Sequence, residues 1–122
     1  MFDINLKNPG KDTFDGHARN AALAVARDTR RNRTSQLRRF YDEFIHWDEK
    51  CRDDASVHEN LPMIRMLRAK VVYSRAREHV DETYEQLVSH LLDRIEDRKT
   101  LRNARLFMEA FTGFYKAARP ND

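Results

Sequence analysis

The chain has little cysteine, glycine or proline, and each shortage excludes a class of structure. Of its 122 residues, one is cysteine, three are glycine and three are proline. The lone Cys51 excludes an intramolecular disulfide framework, and its place on the apolar side of a helical segment predicts a small buried side chain. No apolar run approaches the roughly 20 residues of a membrane-spanning helix, and MFDINLKN lacks the regions of a signal peptide. We therefore expect a soluble, cytoplasmic, single-domain protein that does not contact a membrane.

The few helix breakers lie near the two ends of the chain. Between Gly16 and Gly113 the only one is Pro62, and this span is rich in alanine, leucine, arginine and glutamate. It shows no strict alternation of apolar and polar residues, so the fold class should be all-α. We expect a flexible N-terminal arm over residues 1–16 and a single helical domain over residues 17–119, built as a compact bundle of about five helices.

Apolar residues at helical spacing place these five helices. The first two are expected over residues 17–29 and 34–54, and the sequence RRNR connects them. The other three should begin at the capping residues Asn60, Asp81 and Thr100, with Pro62 in the first turn of the third.

The second helix carries its charges in an order that an isolated helix disfavours. Arg38 and Arg39 lie near its start, whereas Asp48, Asp53 and Asp54 lie near its end. The helix macrodipole favours the reverse arrangement by roughly 0.3 to 1 kcal/mol per charge. Free backbone N–H groups at a helix start already attract anions, so added basic charge there indicates a phosphate-bearing partner.

Charge alternates in blocks along the whole chain. The net charge is +6 over residues 17–39, −5 over 40–61, +5 over 62–77, −6 over 78–97 and +5 over 98–119. Either the basic blocks converge on one face that follows a nucleic-acid backbone, or basic and acidic blocks pair between neighbouring copies. Arginine outnumbers lysine by 17 to 6, and the planar guanidinium suits contacts to phosphate.

The candidate nucleic-acid-binding residues are fourteen of the cations in the three basic blocks. For Arg38 and Arg39 the alternative is pairing with the acidic residues one turn later, Asp42 and Glu43. For RRNR the alternative is a solvated linker, and for the third helix it is salt bridges to the acidic fourth helix. Tyr73 either stacks on a base or packs at the edge of its helix. The full set is Arg30, Arg31, Arg33, Arg38, Arg39, Arg65, Arg68, Lys70, Arg75, Arg77, Arg98, Lys99, Arg102 and Arg105.

Catalytic and metal-binding patterns are incomplete. Glu43 and His46 form a Glu-x-x-His step like those of di-iron helical bundles, but such a site needs a second step and two further glutamates. The sequence has no second Glu-x-x-His, no phosphate-binding glycine loop and no zinc-ligand spacing. We expect no enzyme activity, no cofactor and no metal ion.

Three segments resemble the small subunit of type III-A CRISPR effector complexes, the Csm small-subunit family. Residues 34–41, TSQLRRFY, resemble its Thr-Ser-Gln-Leu-Arg-x-Phe/Tyr signature. Residues 70–77, KVVYSRAR, resemble its lysine–apolar–tyrosine–small–arginine helix, with Ala76 where the pattern has glycine. Residues 109–116 resemble its closing Glu-Ala helix, with Phe114 in the place of a tyrosine. The resemblance covers about residues 34–116.

The resemblance implies a helical, non-catalytic subunit that stacks in several copies beside the guide-holding backbone subunits. Its basic face would line the channel of the guide–target RNA duplex and bind without base readout. The implied partners are guide RNA, target RNA, other subunits of the effector complex and further stacked copies of the chain. Whether or not the chain binds RNA, a homodimer with exchanged helices is an expected form of the isolated protein, because an apolar surface made for neighbours can bind a copy of itself. The alternative is a helical protein–protein adaptor that does not bind RNA.

Overall fold

The computed structural model describes residues 2–122, and all regular structure in these residues is helical. The expected all-α bundle is confirmed. Its helices are α1 (Gly16–Ala26), α2 (Thr34–Lys50), α3 (Asp54–Arg65), α4 (Leu67–Ala76), α5 (Glu82–Arg94) and α6 (Arg98–Ala118).

The long helix α6 forms the centre of the bundle. It packs against α1 and α2, while α5 packs against α4. The buried side of α6 carries large apolar residues such as Leu101, Phe107 and Phe111, and α1 meets it with small ones such as Ala18 and Ala22. Each large apolar side chain that becomes fully buried contributes roughly 1.5 to 3 kcal/mol, so this helix supplies much of the core.

The prediction for the third helix was wrong about its start, and it also missed a break at Met66. The break divides that helix into α3 and α4, so the bundle has six helices. The side chain of Asp53 accepts a hydrogen bond from the N–H of Ser56 at 2.8 Å, and the Ser56 hydroxyl accepts from the N–H of Asp53 at 3.3 Å. This capping box starts α3 at residue 54. Asn60 lies inside α3 and donates to the Ser56 carbonyl oxygen at 2.8 Å. Pro62 is also inside α3, and a break at Met66 separates α3 from α4.

The predicted caps of the last two helices had different outcomes. Asp81 caps α5 as predicted, because its carboxylate accepts from the N–H of Tyr84 at 3.0 Å. Thr100 does not cap α6. Asp97 does, accepting from the N–H of Thr100 at 2.9 Å, while the Thr100 hydroxyl accepts from the N–H of Asp97 at 3.0 Å.

The segment before α1, expected to be a flexible arm, packs against the bundle. Ile4 and Leu6 are buried. The N–H of Ile4 donates to Nε2 of His90 at 3.0 Å, and Nδ2 of Asn103 donates to the Leu6 carbonyl oxygen at 2.8 Å. Two apolar residues spaced two apart give one face of an extended segment an apolar surface, a pattern too short to stand out in the sequence.

Asn32, in the connector between α1 and α2, fixes the start of α2 relative to α5. It is fully buried and has a left-handed backbone with φ 61°. Its Nδ2 donates to the Val25 carbonyl oxygen at 3.1 Å, and its Oδ1 accepts from the N–H of Asp81 at 2.9 Å. Its N–H donates to the His79 carbonyl oxygen at 3.0 Å. Its carbonyl oxygen accepts from the hydroxyl of Tyr115, whose pKa burial raises to about 12.

Candidate nucleic-acid interface

Both ends of α2 receive charged groups from the C-terminal part of the chain. At the start, the N–H of Thr34 donates to the Asp122 carboxylate at 2.9 Å, and Arg119 contacts the same carboxylate at 3.4 Å. At the end, Nη1 of Arg98 donates to the carbonyl oxygens of Asp48 and Cys51 at 2.8 and 2.9 Å. The chain's own carboxylate and guanidinium thus match the macrodipole of α2, whose charge order looked unfavourable in isolation.

The start of α2 is therefore different from the open anion site predicted from the sequence. Arg33 at the N-cap position makes no side-chain capping bond. Asp122 accepts from the N–H of Thr34, one of the groups expected to attract a phosphate. Any role of α2 in binding RNA must rest on its side chains.

Two candidate cations, Arg98 and Arg105, lie beside a buried carboxylate. Asp48 is 5 % exposed, and its oxygens lie 2.7 Å from Nη1 of Arg98 and 3.6 Å from Nη1 of Arg105. Nη2 of Arg105 also lies 3.5 Å from Glu109. A buried carboxylate requires cationic partners, so these two arginines of α6 stabilise the packing of α6 against α2.

On α4, two of the basic residues pair with the acidic helix that follows. Arg68 contacts Asp93, and Arg75 lies 3.3 Å from Glu85 and 3.8 Å from Glu82. These contacts confirm the salt bridges expected as the alternative for part of this block.

The three arginines of the connector between α1 and α2 differ in their ion pairing. Arg31 pairs with Asp28 at 3.2 Å and with Glu78 at 2.8 Å, and the backbone N–H of Arg31 lowers the pKa of Asp28. Arg33 lies 3.9 Å from Asp122. Arg30 is exposed and forms no ion pair among residues 2–122.

Arg38 and Arg39 do not form the local pairs that were their alternative. Both are exposed, and neither has a carboxylate oxygen within 4.0 Å in the described part of the chain. Glu43 instead accepts from Nζ of Lys70, on α4, at 2.6 Å. The two guanidinium groups are thus available to an external anion.

A groove between α2 and α4 brings together residues that are far apart in the sequence. Its volume is about 340 Å³, and its lining includes Arg39 from α2, Lys70 and Tyr73 from α4, and Arg77, the residue that follows α4. The guanidinium of Arg77 lies over the Tyr73 ring, 5.8 Å from its centroid. We call this cleft the α2–α4 groove.

A smaller groove lies on the other side of α2, against α6. It has a volume of about 70 Å³ and is lined in part by Arg38 and Lys116. Lys116 is exposed and has no ion-pair partner among residues 2–122. It was not among the sequence-predicted site residues, although it ends the third segment that resembles the family pattern. We call this cleft the α2–α6 groove. The exposed side of α2, together with the two grooves that flank it, is called the α2 face.

The remaining candidates lie away from these grooves. Arg65 on α3 and Lys99 and Arg102 on α6 are exposed and form no ion pair with the described residues, but they line neither groove. The predicted set is therefore divided between the α2 face, internal ion pairs and scattered surface positions.

Within residues 2–122, no group of three or more histidine, cysteine, aspartate or glutamate side chains could hold a metal ion. None of the helices in this range has the length and apolar character needed to cross a membrane.

The family model described as Csm2 Type III-A matches residues 10–121 of the chain. The chain belongs to the Csm2 family. Members of this family are structural small subunits of type III-A CRISPR complexes, so this Csm2 chain has the other subunits of such a complex as partners. Comparison with curated proteins and with solved structures finds no match to the chain.

The segments that resemble the Csm small-subunit pattern meet at the α2 face of this Csm2 chain. Gln36 and Arg39 of the first segment line the α2–α4 groove together with Lys70, Tyr73 and Arg77 of the second. Lys116 of the third segment lines the α2–α6 groove. Segments about 30 residues apart in the sequence thus contribute to one surface.

Proposed function

We propose that the chain is a cytoplasmic, non-catalytic RNA-binding subunit whose α2 face contacts the RNA backbone. Several copies stack along the guide–target RNA, each presenting the same face. The observation that carries this proposal is the set of exposed cations without carboxylate partners, Arg38, Arg39, Arg77 and Lys116, that three helices of a Csm2-family chain bring to one surface.

The physical basis of binding is the release of counterions from phosphates. Each phosphate neutralised by arginine or lysine releases condensed cations, so affinity falls steeply with salt and carries little sequence information. Arg98 and Arg105 contribute less to this term because Asp48 already partly neutralises them. Repeated copies of a weak contact would add along one RNA, which explains why a modest charged face is sufficient.

The test compares two double variants in RNA binding. Arg38→Ala with Arg39→Ala removes the α2 cations, and Arg65→Ala with Arg102→Ala removes two exposed, unpaired arginines that line neither groove. Affinity for a labelled RNA of mixed sequence is measured by fluorescence anisotropy from 50 to 200 mM salt, roughly the range over which phosphate contacts weaken strongly. We expect the affinity of the wild type to fall steeply with salt. The α2 variant should bind at least about tenfold more weakly, and its slope of log affinity against log salt concentration should be smaller by about 1 to 2.

The control variant should lose less than half as much of the binding free energy as the α2 variant. Salt-independent binding by the wild type, or equal affinities of the wild type and the α2 variant, would refute the α2 face as the RNA contact.

A protein–protein adaptor is the second candidate, and a specific surface favours it. Met63, Met66 and Val72 are 53, 56 and 46 % exposed on α3, the break and α4. Helical spacing in the sequence puts Met63 and Val72 on the apolar side of this segment, yet both lie outside the core. A contiguous patch of exposed apolar side chains is typical of a docking surface for another protein, and these three are the residues that would supply it. An adaptor of this kind would form a defined protein complex and show no RNA binding at physiological salt.

A further inference from the structure

Tyr73 has an unusual position for a tyrosine in this chain. Its side chain is 63 % exposed, the largest value among the exposed large apolar residues described, whereas Tyr84 and Tyr115 are almost wholly buried. It lies on α4 and lines the α2–α4 groove. A tyrosine used for packing buries its ring, whereas Tyr73 is accessible to a ligand that uses an aromatic surface.

The ring is held in place by its neighbour one turn later. Nη1 of Arg77 donates to the Tyr73 hydroxyl at 3.3 Å, and the guanidinium lies 5.8 Å from the ring centroid. Arg77 thus lies near the hydroxyl end of the ring, and Tyr73 as a whole is largely exposed. A ring held by a cation and open elsewhere provides a platform on which a second planar group can stack.

The other groups in the groove favour an anionic ligand. Arg39, Lys70 and Arg77 supply three cationic side chains against one carboxylate, that of Glu43. An apolar protein surface placed here would bury the guanidinium of Arg39 without a partner, which is costly. A phosphate satisfies it. An aromatic platform beside unpaired arginines is the arrangement that binds single-stranded nucleic acid.

We propose that the α2–α4 groove binds one unpaired RNA nucleotide, with its base stacked on Tyr73 and its phosphate between Arg39 and Arg77. The groove volume of about 340 Å³ lies at the lower end of the range for small-ligand sites, about 300 to 1,000 Å³. Stacking tolerates any base, because every base has a π face. This inference rests on the proposed RNA binding and adds a preference for unpaired over fully paired nucleotides, since bases inside a duplex offer no free face.

The test separates the ring from the charge. Tyr73→Leu removes the aromatic surface, Tyr73→Phe keeps it, and Val72→Ala truncates the adjacent exposed residue, which does not line the groove. The full-length variants are titrated against a short single-stranded RNA containing 2-aminopurine and against a blunt RNA duplex, at several salt concentrations. Quenching of 2-aminopurine fluorescence reports stacking, and anisotropy reports affinity.

We expect Tyr73→Leu to weaken binding of the single strand about fivefold to a hundredfold and to abolish the quenching. Its salt slope and its affinity for the duplex should stay as in the wild type, because no charge is lost. Tyr73→Phe and Val72→Ala should stack and bind like the wild type. Unchanged binding and quenching in Tyr73→Leu would overturn the nucleotide site while leaving salt-dependent RNA binding intact. Absence of RNA binding by the wild type would overturn the proposed function, and this inference with it.

Discussion

Asn32 shows how much of the structure depends on one connector residue. Its side chain is the partner of a carbonyl group at the end of α1 and of an N–H group at the start of α5. Asparagine tolerates the left-handed backbone observed there better than most residues other than glycine. The residue thus satisfies buried backbone groups and forms the turn into α2 at the same time.

Replacing Asn32 should destabilise the protein through both effects. Asn32→Ala leaves the two buried backbone groups unpaired and places a Cβ in the left-handed region, so we expect a loss of about 2 to 4 kcal/mol in the free energy of unfolding. Asn32→Gly removes the same hydrogen bonds but tolerates the backbone, and should cost about 1 kcal/mol less. Urea unfolding followed by circular dichroism measures both, and a neutral Asn32→Ala would contradict the assignment.

His90 predicts a pH dependence of stability. Burial lowers the pKa of His90 below its usual 6.5, positive Arg94 acts in the same direction, and Asp3 opposes it. The folded state therefore binds this proton less readily than the unfolded chain does, so stability falls as protons are added. The contribution of neutral His90 to the free energy of unfolding is complete above about pH 6.5 and declines below that pH. The reason is that protonated Nε2 cannot accept a hydrogen bond from the N–H of Ile4.

The matched variant for this prediction is His90→Gln, which can still accept a hydrogen bond but does not titrate. We expect the wild type to lose more stability than His90→Gln between pH 7.5 and pH 5.5 in urea unfolding experiments. Equal losses in the two proteins would show that other groups cause the pH dependence.

At the scale of elements, the charges of α2 are explained by α6. From the sequence, the acids near the end of α2 oppose its macrodipole, and the partner predicted there was an anion for the basic start of the helix. The structure places Arg98, the first residue of α6, against Asp48 and the last carbonyl groups of α2. One helix therefore caps another, and this arrangement cannot be read from either segment alone.

Arg98→Ala should destabilise the fold without a specific loss of RNA affinity. The substitution leaves the Asp48 carboxylate buried without its nearest cation, so we expect the free energy of unfolding to fall by about 2 to 3 kcal/mol. This cost is below that of breaking a fully buried pair because the Arg98 side chain is 20 % exposed. Arg102→Ala, an exposed and unpaired arginine on the same helix, is the control and should change stability by less than about 0.5 kcal/mol. Thermal unfolding compares them, and equal melting temperatures would contradict this role.

At the scale of the whole molecule, some cations of the alternating charge blocks form ion pairs within the chain and others remain exposed. Arg68 and Arg75 on α4 pair with the following helix α5, within the chain. Arg38, Arg39 and Lys116 remain exposed on the α2 face. A surface of this kind is expected to face other components of a complex rather than bulk solvent.

We expect a tagged copy of the chain, purified from its native cells, to bring down other subunits together with short guide RNAs. The Arg38→Ala, Arg39→Ala double variant should recover less RNA per unit of protein, because counterion release contributes less to its binding. RNA sequencing and mass spectrometry of the purified material measure both. Recovery of the subunits without any RNA, by the wild-type chain, would favour the adaptor.

The parts of the fold that were predictable are those encoded by local patterns. Leu37, Phe40 and Phe44 recur at helical steps and are buried. Asp81 precedes its helix and caps it. The start of α3 was predicted wrongly because Asp53 was taken as the end of the preceding helix, although it forms a capping box with Ser56. When two segments compete for the same residues, local propensity alone does not decide between them.

The sequence by itself determined the helical class, the apolar faces and the excess of basic residues, because helical periodicity and charge are properties of neighbouring residues. Only the tertiary structure decided which cations remain available. Arg39 and Arg98 look equivalent at the starts of their helices, yet Arg98 meets the buried Asp48, while Arg39 faces an open groove with Tyr73. The difference arises because ion pairing depends on distances between helices, and these are set by the packing of the core.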